Sequence, residues 1–125
     1  MVFGTFDILH EGHKNFFKQA REFGNYLIVV AARDRTVLKV KGKLPLNNEK
    51  IRLNNIIKSN LADKAILGDL KDKYKKIKEL KPDVVCLGYD QNSFVDGLNE
   101  LNVKTIKLKP YKPEIYKSSK IIKYS

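Results

Sequence analysis

The feature that most limits the possible folds is an alternation. Short unbroken apolar runs at residues 1–3, 26–32, 65–67 and 84–87, and a mixed stretch at 103–108 that reads as a fifth strand, are separated by segments whose apolar residues recur at helical spacing. An unbroken run reads as a strand covered on both faces, because a strand with one wet face would alternate. A helix-like segment in each gap lets successive strands run parallel. The pattern therefore predicts an α/β fold, a five-stranded parallel sheet doubly wound by helices.

The segments between the runs carry their own punctuation. From Lys14, the residues Phe16, Phe17, Ala20 and Phe23 predict a helix stopped by Gly24 and Asn25. A short helix from Asp34 to Lys39 precedes a basic loop over residues 39–45. Asn47 or Asn48 caps a helix that runs to about Asn60, with Ile51, Ile56 and Ile57 inward. Leu70, Tyr74, Ile77 and Leu80 form the stripe of the next helix, which Pro82 ends. Phe94, Leu98 and Leu101 suggest another, weakened by Gly97. Ser118 and Ser119 open a last one. With 125 residues and no repeat or linker, one domain over residues 1–125 is expected. The first run is short, so its strand is either short or begins upstream.

Charge and composition narrow the function. Against 14 acidic residues stand 25 basic ones, a net charge of +11, which favours anionic partners. The lysines do not form one tract. Lys39, Lys41 and Lys43 crowd a loop, those of residues 71–81 stud a helix as a solvated face, and those from Lys104 to Lys123 line the C-terminal end. No RNA-binding signature with an aromatic core is present, so no specific nucleic acid is expected. No apolar run of about 18 residues suggests a membrane span, and no leader is visible. The single Cys86 cannot form an internal disulfide and reads as a buried small hydrophobe, which suits the cytoplasm. Neither a Walker-type P-loop nor GxGxxG occurs, so kinase and dinucleotide readings lose their main support.

Chemistry concentrates in Gly4-Thr5-Phe6-Asp7-Ile8-Leu9-His10-Glu11-Gly12-His13, which holds both histidines of the chain. It lies where a strand turns into a helix. A helix N-terminus offers N–H groups and partial positive charge, a place for phosphate, and two histidines on the first turn add donors. Gly12 lets the backbone come close. By residue type alone, a helix cap with a surface histidine is an equal reading. Zinc lacks further ligands.

These ten residues resemble the signature of the HxGH nucleotidyltransferases, the group of the glycerol-phosphate and choline-phosphate cytidylyltransferases and small adenylyltransferases. The resemblance implies the strand order 3-2-1-4-5, with the site where the order reverses, at the loops 5–13 and 88–91. It assigns His10 and His13 to the nucleotide phosphates, with Thr5, Phe6, Glu11 and Gly12 beside them. Lys43, or its neighbours Lys39 and Lys41, would reach the phosphates or the acceptor. Ser118 and Ser119, in Tyr116-Lys117-Ser118-Ser119-Lys120-Ile121, match a second signature that binds the β- and γ-phosphates. Lys112 stands where that region usually has an arginine. Asp90 would meet the ribose or an adenine amine, and Tyr111 the base. Arg52 falls where related enzymes carry an arginine; a surface helix residue is the equal alternative. Asp7 orders the loop or helps place a divalent ion, the former being favoured. Mg²⁺ or another divalent ion would be bound mainly through the triphosphate.

Within this group the chain resembles the small archaeal FAD synthases along its length, including Ala32-Arg33-Asp34, Lys41-Gly42-Lys43, Asp63-Lys64-Ala65-Ile66-Leu67-Gly68 and Leu87-Gly88-Tyr89-Asp90-Gln91. Glu11 and Tyr89 depart from expected prolines. The resemblance implies transfer of AMP from ATP to FMN, and a homodimer. The competing expectations are a glycerol-phosphate cytidylyltransferase acting on CTP and a nucleotide- or RNA-binding module without catalysis.

Overall fold

The computed structural model describes residues 1–88, 91 and 97–109. Its centre is a parallel sheet of β1 (Val2–Gly4), β2 (Ile28–Ala31), β3 (Lys64–Leu67), β4 (Val84–Leu87) and β5 (Lys104–Lys107), in the order β3-β2-β1-β4-β5. The order reverses between β1 and β4, as the resemblance implied. The helices are α1 (Glu11–Arg21), α2 (Asp34–Lys41), α3 (Glu49–Ser59) and α4 (Lys75–Leu80), with a 3₁₀ turn at Leu98–Leu101. The helix expected from Ser118 lies outside the described residues.

Successive strand residues point to opposite faces, and each face has its own core. Val2, Val29, Ala31 and Cys86 pack with Phe17 and Ala20 of α1 and Ile56 of α3. Val30, Val85 and Leu87 pack on the other side with Ile77 of α4 and Leu98. This double covering explains why the runs of the inner strands β2, β1 and β4 are unbroken in sequence, whereas the edge strand β5 is largely exposed and carries Lys104, Thr105 and Lys107. Cys86 is buried, as its neighbours predicted.

Several boundaries depart from the sequence reading. Helix α1 starts at Glu11, three residues before the apolar periodicity begins, with His10 as its cap and His13 in its first turn, at the helix start where the signature was expected to put them. It ends at Arg21, and Phe23 is left exposed beyond it. Tyr26 precedes β2 and is also exposed. Helix α2 continues to Lys41 and is stopped by Gly42 at φ 79°, a left-handed conformation suited to glycine, so Lys39 and Lys41 are helical rather than in a loop. Leu70 is exposed ahead of α4, which begins only at Lys75 because Asp69 and Asp72 hold the intervening chain in turns.

Helix α3 begins and ends as predicted: Asn48 Oδ1 accepts from Ile51 N–H at 2.9 Å, and Asn60 closes it at φ 57°. Its buried face is a correction. Arg52 and Ile56, four apart, point inward, whereas Ile51 and Ile57 are 46% and 53% exposed. A buried arginine takes the place that an isoleucine was expected to fill.

Candidate active site

The signature stretch folds as a tight bridge from β1 to α1. Phe6 has φ 52°, rare for a bulky residue. Its ring lies back over Gly4, where a Cβ would sit 2.6 Å from the ring tip. It also meets the rings of His13 and Phe17 edge-on at 5.2 Å centroid distances. Gly4 is thus required by Phe6, and Phe6 seats His13. The Phe6 ring thus supports the loop that carries the histidines.

His10 is the N-cap of α1: its Nδ1 accepts from Gly12 N–H at 3.0 Å. The cap reading is therefore correct for His10, and the Gly12 N–H is engaged by it. An accepting Nδ1 places the proton of the neutral ring on Nε2, a donor. The His13 ring stacks on that of His10 at 3.9 Å and is buried. Burial, reinforced by the charges of His10 and Lys41, lowers its pKa to about 3, against a hydrogen bond to the Ile8 backbone. Burial also lowers the pKa of His10, opposed by Glu11. The pair is neutral at pH 7. Glu11 faces solvent and pairs with Lys14 at 3.2 Å.

Asp7 orders the loop. Its two carboxylate oxygens accept from Leu46 and Asn47 N–H at 2.7 and 2.8 Å, while Asn47 Nδ2 donates back to the Asp7 carbonyl. Arg52 does the same from beneath. Fully buried, it donates to the carbonyls of Thr5 (2.8 Å) and Asn47 (3.0 Å) and to Asp34 Oδ1 (2.8 Å). The surface-residue reading of Arg52 is overturned. It braces the loop that carries the histidines.

Beside this loop, at the carboxyl ends of the strands, opens a cleft of about 290 Å³. Its walls include Phe3, Val37 and Val40, with Thr5, Lys41 and Gln91 at hand. Of the three lysines expected on that loop, Lys41, at the end of α2, lines the cleft, and its charge is felt at His13. Lys39 and Lys43 are exposed outside that lining. Arg33 also lines it, held by Glu49 at 2.8 Å and by the Gly68 carbonyl at 2.8 Å. Sequence reasoning missed Gln91 as a site residue, although it stands in a stretch quoted for the resemblance. Asp90, Tyr111, Lys112, Ser118 and Ser119 lie outside the described residues.

Known proteins resemble this chain in sequence and in fold. A family model described as cytidylyltransferase-like matches residues 1–124. The FAD synthase of Aciduliprofundum boonei is 41% identical over 117 residues, covering 89% of this chain and 78% of its own. That of Thermococcus sibiricus is 38% identical, covering 95% and 86%. Among solved structures, the lipopolysaccharide core biosynthesis protein of Thermoplasma volcanium superposes with a TM-score of 0.80 at 38% identity, covering 90% of this chain and 96% of that one. With nearly its whole length matched and its histidine pair at the head of α1, the chain belongs to the cytidylyltransferase-like family.

Proposed function

We propose that this chain is a one-domain FAD synthase, transferring AMP from MgATP to FMN with release of pyrophosphate. The observation that carries the acceptor is the cleft: a slot with the apolar walls Phe3, Val37 and Val40, opening at Gly4 and Thr5 of the signature loop, suits a flat aromatic ring better than a glycerol chain. The FAD synthases among its relatives support the same assignment.

The FMN phosphate attacks the α-phosphorus of ATP. The bond to the β-phosphate oxygen breaks, and pyrophosphate departs in line. A phosphate dianion needs no general base, so the protein's work is positioning and charge stabilisation. His10 donates its Nε2–H to the α- and β-phosphates, and the neutral His13 ring stacked on it donates its single N–H there when a phosphate oxygen replaces the Ile8 backbone as acceptor. Thr5 and Lys41 flank the acceptor, and Lys43 reaches the phosphates from beyond Gly42. Ser118 and Ser119 take the β- and γ-phosphates, Asp90 the ribose or adenine, and Tyr111 the base. With both Asp7 oxygens engaged by backbone N–H groups, the divalent ion is held mainly by the triphosphate. The resemblance favours a homodimer, and exposed Leu44 and Leu46 offer such a contact apolar surface. The enzyme is placed in the cytoplasm, where its lone Cys86 stays reduced.

The test offers the protein ATP with FMN, and CTP with glycerol phosphate, each with Mg²⁺, and separates the products by chromatography. FAD is expected from the first pair. CDP-glycerol without FAD overturns the substrates but keeps the chemistry. Neither product, and no pyrophosphate, leaves a binding module.

A further inference from the structure

The sheet is interrupted at one place, between β1 and β4. Outward from β1, the pairing with β2 runs to Gly4 opposite Ala31 and continues with Ala32 N–H donating to the Gly4 carbonyl at 2.9 Å. Outward from β4, the pairing with β5 runs to Leu87 opposite Lys107 and continues with Leu108 N–H on the Leu87 carbonyl at 2.7 Å. Between β1 and β4 the register has Val2 opposite Cys86, with Cys86 N–H donating to the Met1 carbonyl at 3.0 Å. A parallel ladder repeats every two residues on each strand. Its next rung would join Gly88 N–H to the Phe3 carbonyl.

That rung is occupied by a side chain. Gly88 N–H donates to Gln91 Oε1 at 2.8 Å, and Gln91 Nε2 donates to the Phe3 carbonyl at 2.7 Å. A primary carboxamide offers the same donor and acceptor as a peptide group, so it can stand inside a ladder without leaving either strand unsatisfied. Two hydrogen bonds and an amide in series replace one bond, and the strands are held apart. The opening lies at the point of order reversal, beside Gly4 and Thr5, and Gln91 itself lines the cleft.

We infer that Gln91 is a positioning residue, a wedge whose carboxamide sets the width of the crevice between β1 and β4 and hence the position of the Gln91 wall of the cleft relative to Gly4 and Thr5 of the signature loop. The catalytic consequence rests on the adenylyl-transfer reading; the wedge itself does not. Without the amide, Gly88 N–H can close directly onto the Phe3 carbonyl. The backbone stays satisfied while the crevice narrows. A misplacement of about 1 Å can cost on the order of 10²-fold in rate.

The test compares wild type, Gln91→Ala and Gln91→Glu in three measurements on the same preparations: FAD formation from ATP and FMN, melting temperature, and hydrogen exchange at the Gly88 amide. For Gln91→Ala, kcat should fall about 10-fold or more while the melting temperature stays at or above wild type and the Gly88 amide remains protected. For Gln91→Glu, which still accepts from Gly88 but cannot donate to Phe3 as a carboxylate, both melting temperature and kcat should fall. If Gln91→Ala lowers the melting temperature and exposes the Gly88 amide, or keeps wild-type kcat, the wedge is overturned. If wild type makes no FAD, the adenylyl-transfer reading fails instead, and the melting and exchange results still decide for or against the wedge.

Discussion

His13 works uncharged. Its ring is packed between His10 and Phe6, and burial takes its pKa from 6.5 to about 3. Between those values the unfolded chain binds a proton at this residue and the folded chain does not, so stability falls as pH drops through that window. Melting temperature followed from pH 7 to pH 4 should decline more steeply in wild type than in His13→Gln; parallel curves would show a solvated ring. For catalysis, His10→Ala and His13→Ala should each lower kcat by roughly 10²-fold, with a smaller loss of ATP affinity, because such donors act most on the charge of the transition state. His10→Ala should also cost about 1 kcal/mol of stability, since its Nδ1 caps α1. The Gly4–Phe6 contact gives a third residue-level expectation. Gly4→Ala should destabilise by about 1–3 kcal/mol through overpacking, and Phe6→Leu in the same chain should recover part of it in thermal melts.

At the level of elements, α3 is a brace for the active-site loop as much as a layer of the core. Its Arg52 ties Thr5, Asn47 and Asp34 together, and Asp7 ties the same loop to residues 46 and 47. Removing a buried partner leaves carbonyls and a carboxylate without their donor, at a cost of about 3 kcal/mol or more. Arg52→Ala should therefore lower the urea midpoint with little change in slope. Arg52→Lys should recover only part, because an ammonium cannot span three acceptors with the planar fork of a guanidinium. The helix was legible in the sequence from its Asn48 cap to its Asn60 stop. Its orientation was not. Hydrophobic periodicity assumes that the inward face is apolar, and here a charged residue holds an inward position through hydrogen bonds to a loop 47 residues away.

For the whole molecule, the charge of +11 is spread over helix faces and loops, with Arg33, Lys41, Lys73 and Lys76 gathered at the cleft. Such a distribution suits phosphorylated small molecules. Single- and double-stranded oligonucleotides should bind weakly and lose affinity steeply between 50 and 200 mM salt; tight, sequence-selective binding at the upper salt would contradict this expectation. The amino-acid sequence by itself determined the strands, their parallel arrangement and the seat of both histidines at a helix start. Those depend on apolar runs and on residues adjacent in the chain. The tertiary structure decided that of Lys39, Lys41 and Lys43 it is Lys41 that lines the cleft, that Arg52 is buried, that Ile51 and Ile57 face water, and that Gln91 stands in the ladder. The physical reason is distance along the chain: the contacts that fix Arg52 and Gln91 reach 47 and 88 residues away, where no local pattern records them.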